Sequence, residues 1–225
     1  MQYAAPPMAY TLSEFESKQL LARAGVPIPP ERLASSPAEA VAAAEALGFP
    51  VVLKLCGRRI AHKSERNLVR LGLGDAQAVR RAAEALEALR GPEDGDARLL
   101  VQPMARGRRE IIAGLVRDPQ FGPCVMLGIG GIFAEAIHDV AFAVAPLEPG
   151  DADDLIDALA GRRILGEFRG EPAADRERLR GVLEALGRIG VEQPEVRSID
   201  VNPLVLAGSE PVVVDALVEL SGDPA

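Results

Sequence analysis

Residues 49–64 read FPVVLKLCGRRIAHKS and join a short apolar segment to a basic loop. The first half is apolar and β-branched, so it predicts a buried strand that ends near Lys54. The loop that follows carries His62, Lys63 and Ser64. Lysines beside such a loop can collect the negative charge of phosphates, and a histidine there can take part in phosphate chemistry. The alternative is a strand that ends in a solvated basic turn, and this stretch alone favours neither.

Lysine usage singles out the same stretch. Of the 25 basic residues only three are lysine, namely Lys18, Lys54 and Lys63. Lysine is a compact charge on a flexible stem and suits contact with a phosphate, whereas arginine imposes a planar fork. Lys54 and Lys63 are therefore candidate phosphate ligands, with a coding bias toward arginine as the alternative explanation.

Helix and strand signals flank this stretch on both sides. An acidic first turn after Ser13 predicts a helix over residues 11–25, and a second helix is predicted from Ser36-Pro37 to Leu47. Beyond the basic loop, the pattern predicts a strand over 68–73, a helix over 75–90 and a loop over 91–97. This loop is the best internal boundary in the chain.

The second half of the chain mixes strands and helices without strict alternation. Strands are predicted over 98–102, 110–116, 123–127, 140–145, 196–200 and 212–215, and helices over 152–160 and 174–187. This order favours an α+β fold over a doubly wound sheet, in which strands and helices alternate. The predicted organisation is a flexible leader over residues 1–10 and two lobes, residues 11–97 and 98–225.

Length and composition exclude several classes of protein. The chain has 225 residues, of which 48% are hydrophobic and 26% charged, and a formal net charge of −8. This composition is globular and long enough to bury a core, with neither a membrane span nor a secretory signal. Its two cysteines, Cys56 and Cys124, give no metal signature and no disulfide framework. Since the acidic balance also disfavours nucleic acid, we expect a cytoplasmic protein that binds neither nucleic acid nor membrane.

Residues 101–104, Val-Gln-Pro-Met, follow the inter-lobe loop, and Glu110 lies six residues later. A strand at that place offers backbone N–H and C=O groups to a base such as adenine, and a nearby acid can accept hydrogen bonds from ribose hydroxyls. The alternative is that Gln102 and Met104 are ordinary hinge residues.

A glycine-rich run lies further along the chain. Gly128, Gly130 and Gly131 form a GxGG pattern. On spacing alone this is a weak signal for a phosphate or dinucleotide loop, and it equally fits a tight turn.

Residues 200–204, Asp-Val-Asn-Pro-Leu, and then Asp215 place hard oxygen ligands on two adjacent strands. Mg²⁺ bound to a nucleotide takes one or two such protein oxygens and fills its octahedron with phosphate and water. The alternative is an Asx turn at residues 202–203, because Asn-Pro favours turns.

Together these blocks resemble a known family over nearly the whole chain, from about Tyr10 to Leu220. The family comprises the β subunits, or ATP-grasp parts, of NDP-forming acyl-CoA synthetases of the ADP-forming acetate–CoA ligase type, which are similar to succinyl-CoA synthetase β chains. Seven blocks in one order make the resemblance specific. They are Gly48–Lys54, His62–Ser64, Val101–Met104 with Glu110, Arg117–Pro123, Gly128–Gly131 with Glu135, Leu165–Gly170, and Asp200–Leu204 with Asp215.

The resemblance implies an ATP-grasp fold, in which two α+β lobes hold a nucleotide between them. It also assigns roles to the candidate residues. These roles are phosphate binding for Lys54, Lys63 and Ser64, adenine contacts for Gln102, Pro103 and Met104, ribose binding for Glu110, Mg²⁺ coordination for Asn202 and Asp215, and phosphoryl relay for His62.

The resemblance further implies a reaction and a partner. In this family an acyl-CoA and phosphate form an acyl phosphate and CoA, a histidine of the α chain takes the phosphoryl group, and the β chain passes it to ADP to give ATP. Phosphoryl transfer asks a protein mainly for positioning and for cations around the moving charge, which lysines and Mg²⁺ supply. Nothing in the sequence resembles a CoA-binding domain. A CoA-binding α subunit that carries a phosphohistidine is therefore implied, in a hetero-oligomer.

Two departures from the family pattern favour a different class of function. Where members usually have Gly-Gly after the His-Lys-Ser block, this chain has Asn67 and Leu68, and where they usually have Arg in Asp-Val-x-Phe-Arg, it has Ala143. A glycine pair lets backbone N–H groups approach phosphates closely. The alternative is thus a degenerate ATP-grasp module that senses nucleotide beside an acyltransferase or α-like partner, with Arg66 or Arg70 as hypothetical replacements for the lost cation. A self-sufficient carboxylate–amine ligase is weaker, because this length scarcely allows the acceptor-binding region it needs.

Overall fold

The computed structural model of the chain describes residues 9–60, 63, 65–131 and 139–222 and divides into two compact units. The larger unit consists of the described residues of Met1–Leu12, Ser17–Pro27 and Arg106–Ala225, and the smaller unit of those of Ser13–Glu16 and Ile28–Ala105. The lobe boundary between residues 97 and 98 stays a prediction. Each unit combines helix with antiparallel sheet, so the predicted α+β class is confirmed.

Helices and strands alternate irregularly along the chain. In order they are β1 (Ala9–Thr11), α1 (Glu14–Arg23), β2 (Arg32–Ala34), α2 (Pro37–Leu47), β3 (Val51–Cys56), β4 (Val69–Leu73), α3 (Ala76–Leu89), β5 (Arg98–Pro103), β6 (Arg109–Asp118), β7 (Gly122–Ile129), β8 (Val140–Val144), α4 (Asp151–Ala158), α5 (Arg176–Glu192), β9 (Val196–Ala207), β10 (Glu210–Val213) and β11 (Ala216–Ser221). Within the described ranges, no helix combines the length and the apolar character needed to cross a bilayer.

The smaller unit is a four-stranded sheet in the order β2-β5-β3-β4, packed against α2 and α3. Side-chain caps set where the helices begin, since the Ser36 hydroxyl accepts from the Glu39 N–H and the Asp75 carboxylate from the Ala78 N–H. Gly48 ends α2 with a φ of 86°, a conformation that favours glycine. The sequence predicts both helices, and both are confirmed.

The two faces of β3 have different roles. Val51, Leu53 and Leu55 belong to the hydrophobic core that they share with α2 and α3. Because side chains alternate along a strand, Val52 and Lys54 lie on the other face of the sheet. All six residues of β3 are buried, which confirms the predicted buried strand and places a lysine inside the protein.

The larger unit is a seven-stranded sheet in the order β1-β11-β9-β6-β7-β8, with β10 paired to β9. Helix α5 packs on β6 and β7 and continues to Glu192, past the end predicted at Gly187. A Cβ at Gly190 would lie 2.8 Å from atoms of both Leu115 and Pro123. Gly190, which lies beyond the predicted end, therefore permits close packing of the helix on the sheet and does not end the helix.

Strands account for most other differences from the expectations. β1, β2 and β11 were not predicted, and the helix expected from residue 11 begins at Glu14 because residues 9–11 pair with β11. The strand expected to end at Asp200 continues through Asn202 and Pro203 to Ala207. The alternative of an Asx turn at residues 202–203 is therefore wrong.

Candidate functional site

Two of the three lysines converge on one buried carboxylate in the smaller unit. The Nζ of Lys54 lies 2.7 Å from Oε1 of Glu14, and the Nζ of Lys63 lies 2.9 Å from Oε2 of the same side chain. The Glu14 side chain is fully buried, and those of Lys54 and Lys63 are 4% and 8% exposed. We call these three residues the lysine–glutamate cluster. The shared contact with the Glu14 carboxylate thus brings together Lys54 and Lys63, the two predicted phosphate ligands.

The first turn of α1 holds Glu14 in this position. The N–H and hydroxyl of Ser13 donate to Oε2 of Glu16 at 2.9 and 2.7 Å, and the Glu16 N–H donates to the Ser13 hydroxyl, which is a capping box. The Arg58 guanidinium also binds both oxygens of Glu16 and lowers the pKa of that carboxyl to about 2. The backbone on either side of Glu14 is therefore fixed.

Sequence reasoning missed Glu14. It lies forty residues from Lys54, so no local pattern links the two side chains. The available signal was that the first turn of α1 holds two acids, Glu14 and Glu16, although one is enough for a capping box. The cluster also acts on Cys56, because burial and then the charge of Glu14 raise the pKa of this thiol. Cys56 therefore stays a protonated, unreactive thiol.

The loop after β3 is described in part. His62 and Ser64 lie outside the described residues, whereas Lys63 and residues 65–68 are described. Asn67 has a φ of 59°, in the left-handed region that glycine enters most easily and asparagine tolerates. This asparagine therefore keeps the backbone conformation that a glycine would supply at its position.

The arginines beside this loop have partners within the smaller unit. Arg66 donates to both carboxylate oxygens of Asp94, at 2.7 and 3.0 Å, and holds the pKa of that carboxyl below its usual range. Arg70 donates to the backbone oxygens of Asn67 and Val69. Both guanidinium groups are thus engaged in local structure, which argues against either one replacing a lost phosphate-binding cation.

Gln102 lies on the same face of the sheet as Lys54. Gln102 on β5 is directly opposed by Val52 on β3, and directly opposed residues share a face. Lys54 follows Val52 by two residues and therefore points the same way. Gln102 is also buried, at 5% exposure. The face opposite the hydrophobic core thus carries both candidates.

At residues 103–104, part of the hydrogen-bonding capacity of the backbone is already used within the smaller unit. The N–H of Met104 donates to the carbonyl oxygen of Pro50 at 3.1 Å. Pro103 has no N–H to offer. An adenine contact through the Met104 N–H would therefore require the bond to Pro50 to open.

Glu110 and the GxGG pattern pack together in the larger unit. The N–H of Gly130 donates to the carbonyl oxygen of Glu110 at 2.8 Å, and a Cβ at Gly130 would lie 3.0 Å from the Glu110 carbonyl carbon. Gly131 follows with a φ of 84°. These glycines allow a close approach between backbones and a turn. Glu135 and the rest of residues 132–138 lie outside the described part of the chain.

A second cluster lies on the sheet of the larger unit. Asp200 and Asn202 are two residues apart on β9, so their side chains share a face, and the Asn202 N–H donates to the Asp215 carbonyl oxygen at 3.2 Å. Partial burial and then the charge of Asp215 raise the pKa of the Asp200 carboxyl. We call Asp200, Asn202 and Asp215 the oxygen cluster. Its predicted members are brought together, and Asp200 adds a third side chain.

The donor chemistry of the oxygen cluster suits a hard cation. Two carboxylates and one amide supply only oxygen atoms, and the mutual repulsion of the carboxylates is relieved when a cation binds. Among the described residues, no group of three or more histidine, cysteine, aspartate or glutamate side chains could hold a metal. A donor set of oxygen atoms alone suits a hard cation such as Mg²⁺, which takes one or two protein oxygens, better than zinc, which favours nitrogen and sulfur ligands.

Exposed apolar side chains continue the face that carries the oxygen cluster. Asp200 is opposed by Gly114 on β6. Met126 on β7 is opposed by Gly114 on one side and by Phe142 on the other, so all four residues share one face. Phe142 is 56% exposed, and Val140, two residues away, is 44% exposed. Contiguous exposed apolar surface of this kind often marks a binding site.

Ala143 points to the opposite face of the same sheet. It is opposed by Val125, which is opposed in turn by Leu115. Both of these side chains are in the core, at 0% and 2% exposure. An alanine at residue 143 therefore removes no cation from the face that carries Asp200.

Comparisons with known proteins agree over almost the full length of the chain. A family model described as an ATP-grasp domain matches residues 5–220. The β subunit of ADP-forming acetate–CoA ligase I from Pyrococcus furiosus is 36% identical, with 91% of this chain and 90% of that subunit covered. ADP-forming acetate–CoA ligase I from Archaeoglobus fulgidus is 35% identical over 89% of this chain, which spans 30% of that longer protein.

A solved structure is similar over the same extent. Acetyl-coenzyme A synthetase 1 of Candidatus Korarchaeum cryptofilum, in complex with coenzyme A and Ca-AMPCP, has a TM-score of 0.88 and 39% identity, with 94% of this chain and 93% of that chain covered. The same enzyme with coenzyme A and Mg-AMPPCP, in which a phosphohistidine segment points towards the nucleotide-binding site, has a TM-score of 0.81.

Proposed function

Since this chain belongs to the ATP-grasp domain family and, within it, to the β subunits of ADP-forming acetate–CoA ligases, we propose that it is the nucleotide-binding subunit of an acid–CoA ligase. Its reaction converts acyl-CoA, ADP and phosphate into acid, CoA and ATP. The step assigned to this chain moves a phosphoryl group from a phosphohistidine to ADP and returns a free histidine. The family and the ATP-grasp fold that the sequence predicts are both confirmed by the comparisons.

The observation that carries the proposal is the convergence of Lys54 and Lys63 on Glu14. Catalysis of phosphoryl transfer rests on positioning and on positive charge around the phosphates. Two lysines drawn from a strand and from the following loop supply that charge at one place. We assign both lysines, with Ser64 of the same loop, to the nucleotide phosphates.

We assign Mg²⁺ to Asn202 and Asp215. The oxygen-only donor set supports this assignment, and so does Asp200 on the same face, whose carboxylate adds a further oxygen donor. When bound, Mg²⁺ neutralises phosphate charge in the transition state. The chain's own contribution is to hold these side chains on one face of a rigid sheet.

The remaining assignments complete the nucleotide contacts. Adenine contacts fall to Gln102, Pro103 and Met104, supported by the position of Gln102 on the face that carries Lys54. We assign ribose binding to Glu110. We assign the phosphoryl relay to His62, which precedes Lys63 in the sequence, because an imidazole can accept a phosphoryl group and pass it on.

We propose a CoA-binding α subunit with its own phosphohistidine as the partner, in a hetero-oligomer. The Archaeoglobus fulgidus relative supports this, because it carries this chain's counterpart within a longer protein that has room for the missing functions. A cytoplasmic location stays a prediction.

The degenerate nucleotide-sensing module is the second candidate, and both departures that favoured it have structural answers. Asn67 keeps a left-handed backbone, Leu68 belongs to the hydrophobic core of the smaller unit, and Ala143 faces the core of the larger unit. An active site therefore accounts better for the chain than a degenerate one.

Calorimetric titration of the full chain with ADP, with Mg²⁺ and then with EDTA, tests the proposal. We expect binding that requires Mg²⁺ and is lost in Asn202→Ala, while the control Asp154→Ala, on exposed α4 surface, binds like the wild type. Binding that is unaffected by EDTA and by Asn202→Ala would refute the metal assignment. With an α partner added, phosphate incorporation at His62 separates the ligase from the sensing module.

A further inference from the structure

We propose that Glu14 is a positioning residue that holds Lys54 and Lys63 as one unit for nucleotide phosphates. This inference rests on the proposed function, because it assumes that the two lysines bind phosphate. It adds a residue from α1, remote in sequence from every block that carries the family resemblance.

The first argument is geometric. Each ammonium group contacts a different oxygen of one carboxylate, at 2.7 and 2.9 Å. The spacing of the two lysine head groups is therefore set by the width of a single carboxylate. Two flexible lysine stems would otherwise sample many rotamers, so Glu14 removes an entropy cost that phosphate binding would have to meet.

The second argument is electrostatic. All three side chains are at least nine-tenths buried, and burial of two like charges without a counter-ion favours loss of a proton from one of them. Glu14 supplies that counter-ion. The cluster thus places two ammonium groups against one carboxylate, and the excess of positive charge can attract an anion.

The third argument concerns the support of Glu14. The capping box at Ser13 and the Arg58–Glu16 pair fix the backbone turn on which it sits. A positioning residue needs such a rigid base, since a mobile carboxylate would fix nothing. A matched control lies elsewhere in the smaller unit, at Glu45, an exposed glutamate of α2.

A competing role makes the opposite prediction. If Glu14 merely occupied the place of a phosphate, its neutralisation would raise the positive charge and tighten nucleotide binding. If Glu14 positions the lysines, neutralisation weakens binding. The sign of the change therefore separates the two roles.

The test is the dissociation constant for ADP with Mg²⁺, measured calorimetrically on the full chain. We expect Glu14→Gln to weaken binding by about tenfold, the equivalent of one charge-assisted hydrogen bond. The control Glu45→Gln should stay within about twofold of the wild type.

Unchanged or tighter binding by Glu14→Gln would overturn the inference while the proposed function stands. If the wild-type chain itself does not bind ADP, the proposed function fails instead. Should Glu14→Gln not fold, Glu14→Asp takes its place, because it keeps the charge but shortens the reach. Weaker binding by Glu14→Asp, with a normal melting temperature, supports positioning, and wild-type affinity refutes it.

Discussion

The lysine–glutamate cluster and the oxygen cluster carry opposite charges, and they are built in opposite ways. The first is buried in the smaller unit and contains its own counter-ion. The second lies on a sheet face of the larger unit, where Asn202 is exposed and the charges of Asp200 and Asp215 repel. The cationic cluster thus has a counter-ion within the fold, whereas in our proposal a cation from solution neutralises the oxygen cluster.

The difference has an energetic cause. Buried charges must be paired, because removing one partner leaves the other desolvated. Carboxylates on a solvent-accessible face keep much of their hydration, so the fold tolerates them before a metal binds. Substitutions in the first cluster should therefore reduce stability, and those in the second should reduce binding.

The largest effect is expected from Lys54→Met, which breaks the buried pair. We expect a loss of about 3 kcal/mol in the free energy of unfolding, because the buried Glu14 carboxylate loses its ion pair with Lys54. Urea denaturation measures this, with Arg59→Met, at an exposed neighbouring position, as the control. Equal stability of the two variants would mean that the buried pair contributes little.

Asp215→Asn should leave stability intact and reduce ADP affinity in the presence of Mg²⁺. Even outer-shell partners of a metal are worth about 10–100-fold, so loss of a direct ligand should cost about 100-fold or more. Titration with and without Mg²⁺ measures the change, and Asp154→Asn is the matched control. A variant that lost stability but kept its affinity would reverse the contrast between the clusters.

Asp94→Asn tests a buried ion pair that we assign to structure alone. Arg66 lowers the pKa of the Asp94 carboxyl, so the pair stabilises the fold above the unfolded pKa of about 4 and is lost as pH falls through the lower folded value. The variant should be less stable than the wild type at pH 7, and the difference should shrink below about pH 4. Thermal melts across this range give the comparison, and ADP affinity at pH 7 should not change.

The smallest effect concerns Asn67, whose left-handed backbone stands in for a glycine. Asn67→Gly should fall within a few tenths of a kcal/mol of the wild type, whereas Asn67→Ala should lose about 1 kcal/mol, because a Cβ without a polar group is strained there. Neither change should alter ADP affinity. Markedly tighter ADP binding by Asn67→Gly would instead support the hypothesis that the chain is a degenerate nucleotide-sensing module.

Local signals account for what the sequence could predict. Ser36 and Asp75 cap their helices, and the apolar run of β3 belongs in a buried strand, so these elements follow from neighbouring residues. The strands β1 and β2 have three residues each and form only because a distant strand pairs with them. Their sequences carry too little pattern to reveal that partner.

The same distinction between local sequence signals and long-range contacts applies to the candidate site residues. Lys54, Lys63, Asn202 and Asp215 were identified as candidates from the sequence because their residue types sit in short motifs. Glu14 was not, because its role depends on a contact across forty residues. Asp200 lies within a quoted motif but gains its significance only from the charge of Asp215 beside it.

The sheet face shared by Asp200, Gly114, Met126 and Phe142 also provides a position for a fluorescent probe. The chain contains no tryptophan, so Phe142→Trp would introduce a single indole with no background emission from others. Phe142 is 56% exposed and lies on the face that carries the oxygen cluster, which makes a bulky aromatic replacement compatible with the sheet. The fluorescence of that indole would report binding at this face in real time in the isolated chain.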